Sequence, residues 1–147
     1  MTKNIYLAGP FFDEEQIDRV SRLETLLASH PQIGEVFSPR KHQHEEYEMF
    51  SPAWQTVTYQ GDVQAIDEAD VVVAIVDYVD DQVDSGTAWE IGYAHATGHP
   101  IILFKEKPGS VNLMLGKSLT AFLTQESQLA EYDFDQLTSI PYDGEMF

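Results

Sequence analysis

Residues 69–76 read Ala-Asp-Val-Val-Val-Ala-Ile-Val, and residues 85–98 read Ser-Gly-Thr-Ala-Trp-Glu-Ile-Gly-Tyr-Ala-His-Ala-Thr-Gly. Within the first, Val71–Val76 is a β-branched run without alternation, the pattern of a strand buried on both faces in a parallel sheet. The second predicts a helix over Ser85–Thr97, with Gly98 where a helix-ending glycine belongs. Between them lies an acidic loop, Asp77–Asp84. Strand, loop and helix make one β–α unit, and the flanking sequence repeats it.

Upstream, Asn4–Ala8 is a short strand that stops at Gly9-Pro10. Glu14–Ser29 carries Ile17, Val20, Leu23, Leu26 and Leu27 at helical spacing, with Asp13 as its N-cap. Glu35–Ser38 is a second strand, and Pro39 ends it. Arg40–Pro52 is polar, rich in His and Glu, and aperiodic, so it reads as a rim loop. Ala53–Ala69 is helical. Downstream, Pro100–Phe104 is a buried strand and Val111–Leu123 reads as a helix. An acidic tail follows, with a short helix near Phe134–Thr138. The order β-α-β-α-β-α-β-α predicts an α/β fold: one domain over residues 1–147, with an open, doubly wound parallel sheet flanked by helices. This is a flavodoxin-like or Rossmann-like three-layer sandwich. Ligands of such sheets lie beyond the carboxyl ends of the strands. Here those segments are Gly9–Asp13, Pro39–His44, Asp77–Asp84 and Lys105–Ser110.

Composition narrows the function. Eight Lys and Arg stand against 25 Asp and Glu among 147 residues, a formal charge of −17. Such a chain is expected to repel nucleic acid and anionic membranes, and a neutral small molecule suits it better. The absence of cysteine excludes disulfides, thiol catalysis and iron–sulfur clusters. No apolar run approaches the ~20 residues of a membrane helix, and the N-terminal apolar stretch is too short for a signal peptide. A soluble, cytoplasmic protein is expected. There is no G-x-G-x-x-G after the first strand, no phosphate-binding G-x-x-x-x-G-K-[ST] and no G-x-S-x-G elbow. His44 opens His-Glu-Glu-Tyr-Glu rather than a zinc-binding H-E-x-x-H, and Gly98 separates His95 from His99. With His30 and His42 these histidines read as solvated loop residues, and neither metal nor cofactor is expected.

The carboxylates carry the chemistry. Glu90 is the one charge between Ser85 and Gly98. A lone carboxylate on an apolar helix is costly to bury unless it is used or paired. Near a helix N-terminus the ionised form is favoured, as a carboxylate nucleophile needs. The alternative is a Glu that caps its own helix or pairs with a lysine. Asp84 reads either as the N-cap of that helix or as an acceptor for a sugar hydroxyl. Asp62, on the preceding helix, is an exposed helix acid or a proton donor to a leaving group. Two carboxylates with split roles are the requirement for cleaving a glycosidic bond through a covalent intermediate. Asn112 caps the last long helix or orients a polar ligand. Phe11 and Phe12 pack in the core or stack on a flat ring.

Taken in order, Ile5-Tyr-Leu-Ala-Gly-Pro-Phe-Phe12, Phe37-Ser-Pro-Arg-Lys-His-Gln43, Gly61-Asp62, Asp84-Ser-Gly-Thr-Ala-Trp-Glu90-Ile-Gly-Tyr-Ala94 and Val111-Asn-Leu-Met114 resemble the nucleoside 2-deoxyribosyltransferases over nearly the whole chain. The resemblance implies transfer of 2-deoxyribose from a 2'-deoxyribonucleoside to a free purine or pyrimidine base, in nucleoside salvage, without cofactor or metal. It implies a covalent deoxyribosyl–Glu90 intermediate, retention of configuration and weak hydrolysis. Glu90 takes the nucleophile's position, and Tyr6 that of the tyrosine orienting it. Asp84 matches a residue on the deoxyribose hydroxyls, and Asp62 the acid that manages the base's proton. Gln43 and Phe12 match base-pocket residues. Asn112 and Met114 match residues that a neighbouring subunit supplies in a homo-oligomer, a dimer or a hexamer built from dimers. The tail Tyr142-Asp-Gly-Glu-Met-Phe147 resembles the family's C-terminus, whose carboxylate (that of Phe147) reaches a neighbour's site in some members. Two other readings compete. One is a 2'-deoxynucleoside 5'-monophosphate N-hydrolase, which the acidic balance and Asn112 disfavour. The other is a non-catalytic nucleotide-binding module.

Overall fold

The computed structural model describes residues 1–147. Its elements in chain order are β1 (Lys3–Ala8), α1 (Glu14–Ala28), β2 (Ile33–Phe37), α2 (Pro52–Glu68), β3 (Val71–Ile75), α3 (Ser85–Ala96), β4 (Ile101–Phe104), α4 (Leu113–Gly116), β5 (Ala121–Leu123) and α5 (Glu126–Glu131). The five strands form one sheet in the order β2-β1-β3-β4-β5. Every pairing is parallel. This is the doubly wound α/β sheet that the sequence predicts.

Strand parity divides the core. Ile5, Leu7, Val71, Val73, Ile75, Ile102 and Phe104 pack against α1 and α5 on one face. Tyr6, Ala8, Val72, Ala74, Ile101 and Leu103 pack against α2 and α3 on the other. Successive side chains of a strand point to opposite faces, so each central strand must be apolar throughout to feed both layers. That is why Val71–Val76 lacks alternation. Caps fix the helix starts: Asp13 accepts from the Gln16 amide, Ser51 from Trp54 and Asp84 from Thr87. Gly98, with φ of 80°, supplies the left-handed residue just past α3.

Two expected elements are corrected. Val111–Leu123 is not one helix. Only Leu113–Gly116 is helical, and Ala121–Leu123 is a fifth strand paired with β4. The Thr120 amide donates to the Ile101 carbonyl and carries the chain into the sheet. The short helix of the tail lies at Glu126–Glu131, set by a capping box between Gln125 and Gln128, and not at Phe134–Thr138. Phe134 is buried in the α1 layer. Nor is His30 a solvated loop residue. It is buried; its Nδ1 accepts from the Gln32 amide, which leaves Nε2 to donate to the Tyr132 carbonyl at 3.0 Å.

The chain leaves β1 for β2 on one side and later returns to β3 on the other. The crevice between the carboxyl ends of β1 and β3 is therefore the topological switch point, where doubly wound sheets bind ligands.

Candidate active site

A cavity of about 860 Å³ opens at that switch point. Gly9–Phe12 after β1, the rim residues Arg40, His42 and Gln43, the inner face of α2 and the start of α3 all line it. Six aromatic side chains line it: Phe11, Phe12, Phe50, Trp54, Tyr59 and Trp89. Flat rings around a few polar groups suit a flat, uncharged ligand.

The polar centre is built from three elements. Tyr6 is fully buried on the α2/α3 face of β1, where strand parity points it at α3. Its hydroxyl donates to Oε2 of Glu90. The ring is held by stacking on Phe37, at 5.6 Å between centroids, and Phe37 stacks in turn on His42 at 4.1 Å. Asp62 enters from α2 and Asp84 from the N-cap of α3. Asp84 does the capping that one of its two readings required, through Oδ2 to the amide and hydroxyl of Thr87. It also lines the cavity.

Burial sets the charge states. Glu90 is pushed up to about 8, chiefly by desolvation and further by the nearby Asp62 and Asp84, while the Tyr6 hydrogen bond pulls the other way. Asp62 is pushed up to about 6 by desolvation, against a lowering influence from His44. Tyr6 rises well above the ordinary phenol range, through burial and the same two carboxylates, and remains a donor. The expected helix-terminus stabilisation of an ionised Glu90 is outweighed. Glu90 lies in the second turn of α3, beyond the reach of the terminal amides, and desolvation dominates. Two carboxyls, 28 positions apart in the chain, thus share one solvent-poor site with separated proton affinities, the higher of them on Glu90.

Other expected residues divide between this cavity and elsewhere. Gln43 and Phe12 line it. The Gln43 side chain donates to the Arg40 carbonyl, and the Gln43 backbone carbonyl accepts from the Trp54 indole at 2.9 Å, so the rim is pinned to α2. Phe12 is exposed at the mouth rather than packed in the core. Asn112, Met114 and Phe147 do not line this cavity. They line a second cavity of about 440 Å³ on the other side of α3. Asn112 caps α4 through the Met114 amide, and the Leu113 amide donates to the Phe147 carbonyl oxygen.

Thr58, Trp54, Tyr59 and His42 were not singled out as site residues, yet all four line the main cavity. For Thr58 a signal existed, since it stands one helical turn before Asp62 on the same face. The histidine–glutamate loop also gains a role: His44 pairs through Nδ1 with Glu46 at 3.5 Å and lies beside Gly61, next to Asp62. No group of three or more His, Asp or Glu side chains is placed to hold a metal ion, and no helix is long and apolar enough to cross a membrane.

Comparison with known proteins bears on the family of the chain. The family model for nucleoside 2-deoxyribosyltransferases matches residues 5–136. A nucleoside deoxyribosyltransferase of Limosilactobacillus fermentum is 35% identical over 94% of this chain and 90% of its own length. Among solved structures, the 2-deoxyribosyltransferase of Bacillus psychrosaccharolyticus is 39% identical and covers 95% of this chain and 98% of that one, with a TM-score of 0.88. A CMP N-glycosidase of Clostridium botulinum is more distant, at 25% identity and a TM-score of 0.57, covering 88% of this chain and 96% of that one.

Proposed function

The chain belongs to the nucleoside 2-deoxyribosyltransferase family, and from that premise we propose that one domain over residues 1–147 moves 2-deoxyribose between nucleobases through a covalent Glu90 ester. The observation that carries this reading is the hydrogen bond from Tyr6 to Glu90 inside a cavity that Asp62 and Asp84 share. Glu90 attacks C1' of the bound deoxynucleoside. The C1'–N bond breaks, its electron pair leaves with the base, and Asp62 delivers a proton to a base nitrogen. An incoming base then attacks C1', the Glu90 ester bond breaks, and the proton of that base returns to Asp62. Two displacements give net retention and ping-pong kinetics. Tyr6 orients the carboxylate, Asp84 takes the deoxyribose hydroxyls, and Gln43 and Phe12 hold the base. A 2'-hydroxyl would crowd Glu90 and disfavour the oxocarbenium-like transition state, so deoxy substrates are preferred. Water in place of the second base gives slow hydrolysis.

The site is completed in an oligomer. Met114 and Phe147 of the second cavity and the adjacent Leu113 expose apolar surface, and a second copy covering it would bring Asn112, Met114 and the Phe147 carboxylate to a neighbour's pocket. A cytoplasmic place in nucleoside salvage follows from such a reaction. The likeness to a CMP N-glycosidase favours a second reading, hydrolysis of a nucleoside monophosphate. Against it, the cation that lines the cavity, Arg40, is already paired with Glu24.

The test is thymidine with adenine, followed by chromatography beside an adenine-free control. Deoxyadenosine and thymine, formed faster than thymine in the control, support transfer. Transfer seen only from deoxyinosine means a purine enzyme. Failure of both donors, with base release from a monophosphate, overturns the reading.

A further inference from the structure

Two polar atoms among the residues of the Glu90 cavity have no partner in the protein. Oγ1 of Thr58 and Oδ1 of Asp62 are covered from solvent, and neither makes a hydrogen bond. Both residues line the cavity from the interior of α2. Four positions apart, they are neighbours on one helix face. Buried polar groups are almost always satisfied, so each orphan calls for an explanation. Threonine is a poor helix former, and its hydroxyl in a helix interior ordinarily returns to a carbonyl one turn back. Thr58 makes no such bond.

We propose that Thr58 and Asp62 together read one edge of the nucleobase, the Thr58 hydroxyl taking the exocyclic 6-substituent of a purine while Asp62 serves the adjacent ring nitrogen. This rests on the deoxyribosyltransferase reading above and adds to it a residue that sets base preference. Adenine presents N7 as an acceptor and its 6-amino group as a donor, whereas a 6-oxo purine presents two acceptors. A carboxyl that donates at N7 treats the two alike. The neighbouring group must accept from one and donate to the other, and a hydroxyl does both by rotating. Thr58 therefore admits both 6-amino and 6-oxo purines and disfavours purine with no 6-substituent, which leaves the buried hydroxyl orphaned.

The experiment is calorimetric titration of the protein with adenine, hypoxanthine and unsubstituted purine, paired with kcat/KM for the same three acceptors. Wild type is expected to bind the two substituted bases more tightly. Thr58→Val is expected to weaken those two by roughly five- to tenfold, the worth of one neutral hydrogen bond, and unsubstituted purine by less than twofold. It should melt no lower than wild type, because it removes an unsatisfied buried hydroxyl. Thr58→Ser restores the hydroxyl and should restore the discrimination. Thr56→Val, on the exposed side of α2, should change nothing. Equal weakening of all three bases by Thr58→Val, or no change in any, overturns the proposal, as does a wild type that binds none of them. Transfer by wild type with Thr58→Val indifferent to the 6-substituent removes the edge reader and leaves the transferase reading intact. Discriminating binding without transfer does the reverse.

Discussion

Glu90 faces opposing demands. The proposed reaction needs it ionised, and the pocket makes ionisation costly. With Glu90 near 8 and Asp62 near 6, the empty site holds one proton between two carboxyls around neutral pH. The chemistry requires the same count, one proton for the leaving base and one bare carboxylate for C1', but the proton must pass from Glu90 to Asp62 before C1' is attacked. A plot of kcat/KM against pH is therefore expected to be bell-shaped, falling below about 6 as both groups protonate and above about 8 as both ionise. A flat profile between pH about 5 and about 9 would count against the shared proton. Glu90→Ala should remove nearly all transfer, and activity within roughly tenfold of wild type would sink the nucleophile assignment. The same residue governs stability. Its folded-state affinity for the proton exceeds the ordinary carboxylate value of 4.5, so its contribution to stability falls as pH rises from there through about 8. Glu90→Gln keeps an acceptor for Tyr6 and escapes that cost. Its melting temperature relative to wild type should climb between pH 5 and pH 8, and a constant difference would mean that Glu90 is not desolvated. The identities of Glu90, Asp62, Asp84 and Tyr6 as site candidates could be read from the sequence. The protonation of Glu90 could not, because it depends on how deeply the closed cavity buries the carboxyl.

The rim between β2 and α2, Ser38–Ser51, is irregular for fourteen residues apart from a short turn at Pro39–Lys41. It is anchored at two points. The buried Glu24 of α1 accepts from the Ser38 hydroxyl at 2.6 Å and from the Arg40 guanidinium, and the Trp54 indole of α2 donates to the Gln43 carbonyl. Arg40 and Ser38 hold the Glu24 carboxyl below its usual range against the cost of burial. Its contribution is thus present above the unfolded-state value and lost as pH falls through the folded one. Glu24→Gln is expected to cost about 2 kcal/mol at pH 7, the worth of charge-assisted hydrogen bonds, and progressively less as the pH falls below the ordinary carboxylate value of 4.5. Because the loop also frames the base pocket, KM for the base should rise more than kcat falls. An equal fall in kcat would place the rim in the chemical step instead. The same scale explains which elements the sequence yielded. Strands β1, β3 and β4 are buried on both faces and announce themselves as apolar runs. Strand β5 is three residues, Ala121–Leu123, held at the sheet edge by β4 on one side and the Ile140 bridge on the other. So short a run has no periodicity of its own and merges with the α4 pattern before it. Helix α5 is fixed by a side-chain capping box rather than by an apolar stripe, so its position carries no periodic signal in the sequence.

At the scale of the molecule, the two cavities lie on opposite sides of α3, and the proposed residues divide between them. Tyr6, Asp62, Asp84 and Glu90 belong to one side, and Asn112, Met114 and Phe147 to the other. The division is not a feature of one flexible loop. Asn112 caps α4, and the tail is stitched to it by the bridge between Val111 and Met146 and by the Leu113–Phe147 bond. A rigid patch cannot fold back across α3, so if it serves a Glu90 pocket that pocket is another subunit's. The consequence is quantitative. In a two-fold dimer with reciprocal sites, a mixed pair of one Glu90→Ala chain and one Asn112→Ala chain contains one site with both lesions and one with neither. Each homodimer is impaired in both sites. After unfolding and refolding together at equal amounts, half the dimers are mixed and half of their sites are intact, so activity should recover to about a quarter of wild type. Separately refolded variants combined without exchange should recover none. If Asn112 acted within its own chain, the mixture would never exceed the average of the two variants, and the division between the cavities would have no catalytic meaning.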